Sequence, residues 1–143
     1  MTREQKEMWL RRLKTHGDFN DLTGLRVVDV DDGRAVVKLE QSPRVLNRWG
    51  SPHGGALFTV ADVAAGVSAL TLRRETMVTL NASVDFMDTA APDGELTATG
   101  RVERMGGRTC FASVGITDCN GKKIAAMRAT IYFTGKKLEL DVD

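Results

Sequence analysis

Residues 55–72 read GALFTVADVAAGVSALTL, the longest run of mainly apolar residues in the sequence. Its length and its alanine-rich composition predict one helix, and apolar side chains occur nearly all round that helix. Four polar side chains interrupt the run, at Thr59, Asp62, Ser68 and Thr71. A run this short and this polar is typical of a buried helix and not of a membrane span. The rest of the chain must therefore cover the helix on most of its sides.

Strand-like stretches stand on both sides of this helix. Residues 25–30 and 34–41 are rich in β-branched side chains and are separated by Asp31, Asp32 and Gly33, which predicts a hairpin. After the helix come residues 77–87, 94–105, 108–117 and 123–134, with turn signals at 92–94, 106–107 and 120–121. We therefore predict a hairpin, a buried helix and an antiparallel meander of four strands, which is an α+β fold with one curled sheet around one helix.

Alternation within the first strand after the helix predicts which of its faces is buried. The apolar positions are Val78, Leu80, Ala82, Val84 and Phe86, and the polar positions between them include Thr79 and Asn81. Because side chains alternate between the two faces of a strand, one face of this strand is apolar. We expect that face to lie on the central helix.

The remaining segments complete a single domain, residues 1–143, with its core at about 20–135. Met8, Trp9 and Leu13 recur at helical spacing, which predicts a short amphipathic helix over residues 2–15 before Gly17. Residues 42–52 form a long irregular connection of the kind that carries function on a rigid scaffold. We expect the tail, residues 136–143, to be frayed.

Composition excludes several classes of protein. With 42% hydrophobic and 27% charged residues the chain is typical of a globular domain, and its net charge of +1 gives no general attraction for nucleic acid or a membrane surface. Residues 1–14 lack the apolar core of a secretory signal, so we expect a cytoplasmic protein. Cys110 and Cys119 form no metal-binding pattern, and we expect both to be reduced structural thiols, with no metal and no cofactor.

Asp62 is the first candidate for chemistry. An unpaired carboxylate is costly to bury, and Arg73 and Arg74 lie about three helical turns away, too far to pair with it. Gly54 and Gly55 precede it at the start of the helix, where backbone N–H groups have no intrahelical partner and face the positive end of the helix dipole. These groups would suit an oxyanion, although paired glycines also serve simply as a turn.

Two motifs carry a resemblance to a known family. The stretch Asn47-x-x-Gly50-x-Pro52-His53-Gly54-Gly55, followed by Asp62, closely resembles the phenylacetate-degradation (PaaI-like) branch of the hotdog-fold thioesterases. The later Arg104-x-Gly106-Gly107-Arg108-Thr109 resembles the coenzyme A segment of that family, with one extra glycine. The resemblance covers about residues 20–135. It implies a hotdog fold, hydrolysis of acyl-CoA thioesters, and a homodimer or a dimer of dimers.

Carried over residue by residue, the resemblance implies a complete site. Asp62 would be the general base that activates water, or the nucleophile itself. Gly55 would supply the oxyanion hole, Asn47 and His53 would support the carbonyl or the leaving thiolate, and Thr79 would position the water, although a solvent-facing threonine is equally compatible with the pattern. The residues implied for substrate and coenzyme A binding are Gly54, Asn81, Arg104, Gly106, Gly107, Arg108 and Thr109.

The spacing adds a geometric requirement to this site. Gly55 and Asp62 are separated by roughly 10 Å along one helix axis, so they cannot both reach one thioester carbon. If two copies pack their helices antiparallel, the start of one helix can approach Asp62 of the other. Two alternatives remain at this point, a non-catalytic acyl-CoA-binding protein and an acyl dehydratase. The identity of the acyl group stays open.

Overall fold

The computed structural model describes residues 1–14 and 17–139. Its elements, in chain order, are the helices α1 (Arg3–Arg12) and α2 (Phe19–Thr23), the strands β1 (Arg26–Asp31) and β2 (Arg34–Glu40), a 3-10 turn (Pro43–Val45), the helix α3 (Gly54–Leu72), and the strands β3 (Glu75–Phe86), β4 (Glu95–Met105), β5 (Thr109–Thr117) and β6 (Lys123–Lys137).

The six strands form one curved antiparallel sheet around α3, in the order β1-β2-β4-β5-β6-β3. This arrangement confirms the predicted α+β hotdog fold. The predicted four-strand meander is wrong at its first strand, because β3 pairs with β6 and not with β4. The eight-residue connection 87–94 is longer than a tight hairpin turn, so β3 can lie at the far edge of the sheet.

Small residues let α3 lie directly on the sheet. A side chain added at Gly100 in β4 would place its Cβ only 2.4 Å from the carbonyl oxygen of Ala64. The buried face of α3 is built largely from alanine and valine, including Val60, Ala61 and Ala65, all fully buried. The helix is 19 residues long with a mean hydropathy of 1.6, so its length and composition alone would suit a membrane span. In the structure its apolar side chains pack against the sheet and form part of the hydrophobic core.

A bulge in β3 overturns the predicted apolar face of that strand. Thr79 pairs with Ile131 and Asn81 with Thr130, which leaves Leu80 as an extra residue between two pairs. Side chains before Leu80 therefore alternate out of phase with those after it. Ala82 and Val84 pack on the core as predicted, whereas Val78 and Leu80 are 50% and 59% exposed.

The ends of the chain differ from the sequence expectations. α1 begins after a capping box at Thr2 and ends at Arg12, so it is shorter than the predicted 2–15, and Thr15 lies outside the described residues. The helix α2 was not predicted. Asp18 is its N-cap, with a carboxylate that accepts a hydrogen bond from the Asp21 N–H, and Gly24 is its C-cap, with a φ of 78°. Both are standard helix-boundary signals. β6 continues to Lys137, so the predicted fraying at 136 and 137 is wrong, and residues 140–143 lie outside the described chain.

The two cysteines occupy different environments. Cys110 is fully buried, and this burial raises the pKa of its thiol, which agrees with the predicted structural role. Cys119 is exposed, and its side chain lies close to Gly94. Neither forms a disulfide within the described residues.

Candidate active site

Asp62 lies on the side of α3 that the sheet leaves open. Its neighbours one helical turn away, Phe58 and Gly66, are also at least partly exposed, so an outward stripe runs along the helix. The carboxylate is half-buried, and no cation pairs with it among residues 1–14 and 17–139. The predicted separation from Arg73 and Arg74 therefore holds in the structure.

The hydroxyl of Thr79 donates a hydrogen bond to Oδ1 of Asp62 at 2.8 Å. Thr79 reaches the helix because the bulge at Leu80 turns it inward, next to Ile131. Thr79 therefore faces Asp62 while its side chain stays exposed in the single chain, and its role in positioning water stays a prediction. One oxygen of the Asp62 carboxylate is held by this bond, and no contact within the described chain occupies Oδ2.

Asn81 does not join this site. It follows the bulge and lies on the outer face of the sheet, beside Thr130 and Arg128, where it lines a cavity of about 700 Å³. In a single chain the sheet therefore separates Asn81 from Asp62, and its role in binding substrate stays a prediction. Asn81 and Thr79 lie on opposite faces of the sheet because Leu80 is an extra residue between them.

His53 is the N-cap of α3, and its Nδ1 accepts a hydrogen bond from the Gly55 N–H at 2.8 Å. The Gly55 donor is therefore occupied, contrary to the prediction that it is free for an oxyanion. The Gly54 N–H has no protein acceptor in the described parts of the chain. The ring of Phe86 lies next to Gly54, 3.4 Å from the position of an added Cβ, which is an ordinary van der Waals distance. The free donor at the helix start is thus Gly54.

Asn47 shapes the loop that leads into α3. Its side-chain oxygen accepts hydrogen bonds from the N–H groups of Trp49 at 2.9 Å and Ser51 at 3.1 Å. The peptide groups of Asn47 and Ser51 are also paired, and the His53 N–H donates to the carbonyl of Val45. Asn47 therefore orders the loop in this chain, and its amide NH2 has no partner within the described residues.

The turn at Gly106 and Gly107 is fixed from the far end of α3. The guanidinium of Arg73 donates to the carbonyl oxygens of Gly107 at 2.7 Å and Gly106 at 3.0 Å, and it stacks on the ring of Phe133 at 4.8 Å. Sequence reasoning missed this role, because it considered Arg73 only as a partner for Asp62. The position of Arg73 directly after the helix was the available signal.

Both arginines of this turn remain available to a ligand. The side chains of Arg104 and Arg108 are exposed and form no ion pair with another described residue. The Gly106 N–H is used internally, because it donates to the carbonyl of Thr109 at 2.8 Å. The N–H of Gly107 has no such partner in the described chain. The turn therefore contains one free backbone donor, at a position between Arg104 and Arg108 in the sequence.

The candidate residues fall into three groups along one chain. Gly54 precedes Asp62 by eight residues, roughly 12 Å along the helix axis, and Arg73 follows Asp62 by eleven, roughly 16 Å. The structure therefore brings Thr79 to Asp62 but leaves the helix start and the arginine turn apart from them. Within the described residues no cluster of His, Cys, Asp or Glu is suited to a metal ion.

Comparisons with known protein sequences show the family to which the chain is similar. The sequence profile described as "Thioesterase superfamily" matches residues 50–125. The acyl-coenzyme A thioesterase PaaI of Escherichia coli is 30% identical over 78% of this chain and 79% of its own. The 1,4-dihydroxy-2-naphthoyl-CoA hydrolase of Listeria monocytogenes is 29% identical over 83% of this chain and 98% of its own.

Solved structures of thioesterases have the same fold as this chain. Escherichia coli PaaI superposes with a TM-score of 0.78 at 27% identity, over 83% of this chain and 86% of its own. A Streptococcus pneumoniae thioesterase, solved with coenzyme A, superposes with a TM-score of 0.73 at 30% identity, over 79% of this chain and 90% of its own.

Proposed function

The chain belongs to the thioesterase superfamily and is a thioester hydrolase, and we propose that it hydrolyses an acyl-CoA with Asp62 as its catalytic carboxylate. The observation that carries the proposal is the Asp62 carboxylate itself. It is half-buried on an apolar helix, held by Thr79, and paired with no cation in the described chain. A carboxylate oriented in this way is available to a water molecule or to a thioester carbon.

Asp62 can act in two ways. As a general base it accepts a proton from water while the water oxygen attacks the thioester carbonyl, and the C–S bond then breaks to release the coenzyme A thiolate. As a nucleophile its oxygen attacks the same carbon, the C–S bond breaks to release the coenzyme A thiolate, and water then hydrolyses the resulting anhydride to the free acid and the Asp62 carboxylate. In both routes negative charge develops on the carbonyl oxygen, and one well-placed N–H donor lowers that barrier by about 3 kcal/mol.

Gly54 is the donor we assign to the oxyanion. Its N–H is free in the described chain, it lies at the positive end of the α3 dipole, and the neighbouring Gly55 N–H is already bonded to His53. Since Gly54 lies roughly 12 Å from Asp62 along the axis, the donor must come from a second copy of the chain.

A second copy has a suitable surface on which to bind. Among the described residues no strand pairs with the outer edge of β3. The exposed apolar side chains Val78, Leu80 and Phe86 lie along this strand, and Phe58 lies on the open side of α3. A long apolar edge strand is unfavourable in a monomer because it invites pairing with another chain. We propose a homodimer through this edge, and the dimer of dimers remains a further prediction.

The arginine turn is the proposed site for coenzyme A. Arg104, Arg108 and the free Gly107 N–H offer two cations and a backbone donor to phosphate oxygens. The relative from Streptococcus pneumoniae has been solved with coenzyme A, which supports binding of the same ligand by this chain.

Release of free thiol from a panel of acyl-CoAs tests the proposal. Wild type should release coenzyme A, and Asp62→Asn should lower kcat at least a hundredfold, because an amide neither accepts the proton nor attacks the carbon. Asp85→Asn is the matched control, since Asp85 is an exposed carboxylate on β3. A fall of less than tenfold in the Asp62 variant would reject the assignment.

A further inference from the structure

Trp49 is 82% exposed in the single chain, more than any other large hydrophobic side chain of the described residues. An aromatic side chain of this size covers roughly 150–250 Å² when it is buried, so its exposure to water is unfavourable. Trp9, the other tryptophan of the sequence, is only 2% exposed. Trp49 therefore has no role in the core of its own chain.

Hydrogen bonds hold the loop around Trp49 in one conformation. The Trp49 N–H donates to Oδ1 of Asn47 at 2.9 Å, and the Asn47 N–H donates to the carbonyl of Ser51 at 2.7 Å. Gly50, with a φ of 77°, closes the turn by donating to the carbonyl of Asn47 at 3.0 Å. A loop ordered in this way loses little freedom on contact with another molecule, which favours binding. The loop leads into α3, so Trp49 also has a fixed position relative to Gly54.

Gly66 lies in the interior of α3, where nothing in the single chain requires a glycine. Its backbone is ordinary right-handed helix, and an added Cβ would meet only the Met77 methyl group, at an ordinary distance of 3.8 Å. Glycine is less favourable than alanine inside a helix because it loses more backbone freedom on folding. Alanine would therefore fit and would favour the helix. A glycine at such a position indicates that another molecule approaches the helix closely.

The space over Gly66 lies beside the proposed catalytic carboxylate. Gly66 follows Asp62 by one helical turn, roughly 6 Å along the axis, on the same open side of α3. Ala69 and Leu70, one turn further, are buried, so the open stripe ends at Gly66. The half-buried Met77 of β3 borders this space with its methyl group. The structure thus leaves a hollow with an apolar border next to Asp62.

From these two features we infer that Trp49 of one chain packs over Gly66 of the partner subunit and thereby positions the two halves of the site. The inference rests on the proposed function, because it takes Gly54 of one chain to lie near Asp62 of the other. With the helices antiparallel, the loop that precedes Gly54 runs towards the second half of the partner's helix, where Gly66 lies. The hollow gives room for the indole ring, and a methionine beside it packs well on an aromatic face. This contact fixes the register of the two helices and holds the Gly54 N–H of one chain at the carboxylate of the other.

Iodide quenching of tryptophan fluorescence tests the contact without any hydrolysis and without any substitution in the protein under test. Trp9 is buried, so iodide in water should reach only Trp49, and the spectrum of Trp49→Phe identifies its share of the emission. We expect quenching of Trp49 in the wild-type protein to be about fivefold weaker than that of free N-acetyltryptophanamide, because a ring in the core of an interface is shielded from solvent. A freely quenched Trp49, in a dimer or in a monomer, would overturn the inference.

Cross-linking shows where Trp49 lies on the partner. In a Cys119→Ser background, which removes the exposed thiol and keeps the buried Cys110, Trp49→Cys combined with Gly66→Cys should form covalent dimers with a short bismaleimide. Such a reagent also joins thiols that are too far apart for a disulfide. Phe19→Cys with Gly66→Cys is the matched control, because Phe19 is also exposed, at 65%, but lies on α2. Absence of a link between the first pair, or equal linking in the control, would contradict the proposed contact.

The positioning role has a kinetic consequence. Trp49→Ala should lower kcat about tenfold with little change in KM, since a displaced oxyanion donor stabilises the transition state less well, whereas Phe19→Ala should leave both unchanged. An unchanged kcat in Trp49→Ala would overturn the positioning role. A protected and cross-linked Trp49 together with a fully active Asp62→Asn would instead reject the proposed function and leave the contact standing. An inactive Asp62→Asn with a freely quenched Trp49 would reject the contact alone.

Discussion

At the scale of single residues, Leu80 decides which side chain meets Asp62. A regular strand would place Val78 and Leu80 on the helix and Thr79 in solvent, as the alternation of residues 77–87 predicts. One extra residue reverses this for the first half of β3 and leaves Thr79 bonded to Asp62 at 2.8 Å. The sequence contains no glycine or proline at this point to indicate the bulge. Sequence reasoning therefore named Thr79 as a candidate but could not determine its orientation.

The hydroxyl of Thr79 provides the first test at this scale. A hydrogen bond to a charged group contributes about 1.5–3 kcal/mol, so Thr79→Val should lower kcat by roughly 10- to 100-fold if the bond orients Asp62 for reaction. Thr79→Ser keeps the hydroxyl and should retain activity within a few-fold of wild type. Steady-state kinetics on an acyl-CoA measures both variants. A Val variant as active as wild type would show that the hydrogen bond to Asp62 is not needed for catalysis.

The helix start shows a similar limit of sequence reasoning. The pattern at Gly54 and Gly55 located the start of the helix but assigned the oxyanion donor to Gly55. In the structure His53 occupies that donor and leaves the one at Gly54 free. Which of two adjacent N–H groups is free depends on the side-chain orientation of the capping residue, and residue spacing alone does not specify it.

At the scale of elements, contact between α3 and the sheet depends on Gly100. The predicted extents of the helix and of most strands agree with the structure to within about two residues, because their turns and hydrophobic patterns are strong local signals. The position of β3 beside β6 is a long-range property, and local pattern does not encode it. The close approach of Gly100 to Ala64 is also a long-range contact, and the local sequence does not predict it.

Replacement of Gly100 tests this contact. Its Cβ would lie 2.4 Å from the Ala64 carbonyl oxygen, so Gly100→Ala must push α3 away from β4, and we expect it to lower the free energy of unfolding by about 3 kcal/mol. Gly115→Ala on β5 is the control, because its Cβ would meet only the Lys123 side chain, at 3.7 Å. Urea denaturation should show little change for the control. A Gly100 variant as stable as the control would contradict this account.

The arginine turn is the second element to test. Arg73 donates hydrogen bonds to the carbonyl groups of Gly106 and Gly107, so Arg73→Gln should disorder the turn. We expect this variant to raise the KM for acyl-CoA about tenfold with little change in kcat. Arg108→Ala, which removes a proposed phosphate contact, should have the same kinetic effect. An N-acetylcysteamine thioester, which lacks the nucleotide, should be insensitive to both changes. Arg101→Gln on the exposed face of β4 serves as the control. If the short thioester is affected equally, the turn has no role in binding coenzyme A.

At the scale of the whole molecule, the proposed oxyanion donor and the proposed catalytic carboxylate are too far apart in one chain to act on the same thioester. Gly54 and Asp62 lie on one straight helix, roughly 12 Å apart along its axis. The exposed edge of β3 and the outward stripe of α3 lie on the side where a second copy would bring its own helix. An antiparallel pair related by a twofold axis would place Gly54 of each chain near Asp62 of the other, and would do so twice.

Mixing of two inactive variants tests this composite site. Gly54 is the first residue of α3, a position that favours proline, and His53 already has the extended backbone, with φ −64° and ψ 137°, that a following proline requires. Gly54→Pro should therefore remove one N–H with little effect on the helix, and Gly54→Ala, which keeps the N–H, controls for the added carbon near Phe86. Asp62→Ala removes the other half. Each variant alone should be inactive, and the alanine control at Gly54 should retain activity.

After co-refolding of Gly54→Pro with Asp62→Ala, half of the dimers should be heterodimers, and each heterodimer would contain one site with both defects and one with neither. Activity should return to about a quarter of the wild-type value, because half of the dimers then carry one intact site out of two. Native mass spectrometry can confirm that the heterodimer forms. A mixture that contains heterodimers and still releases no thiol would mean that both groups act from the same chain, and a twofold pairing of the helices would then not be needed for catalysis.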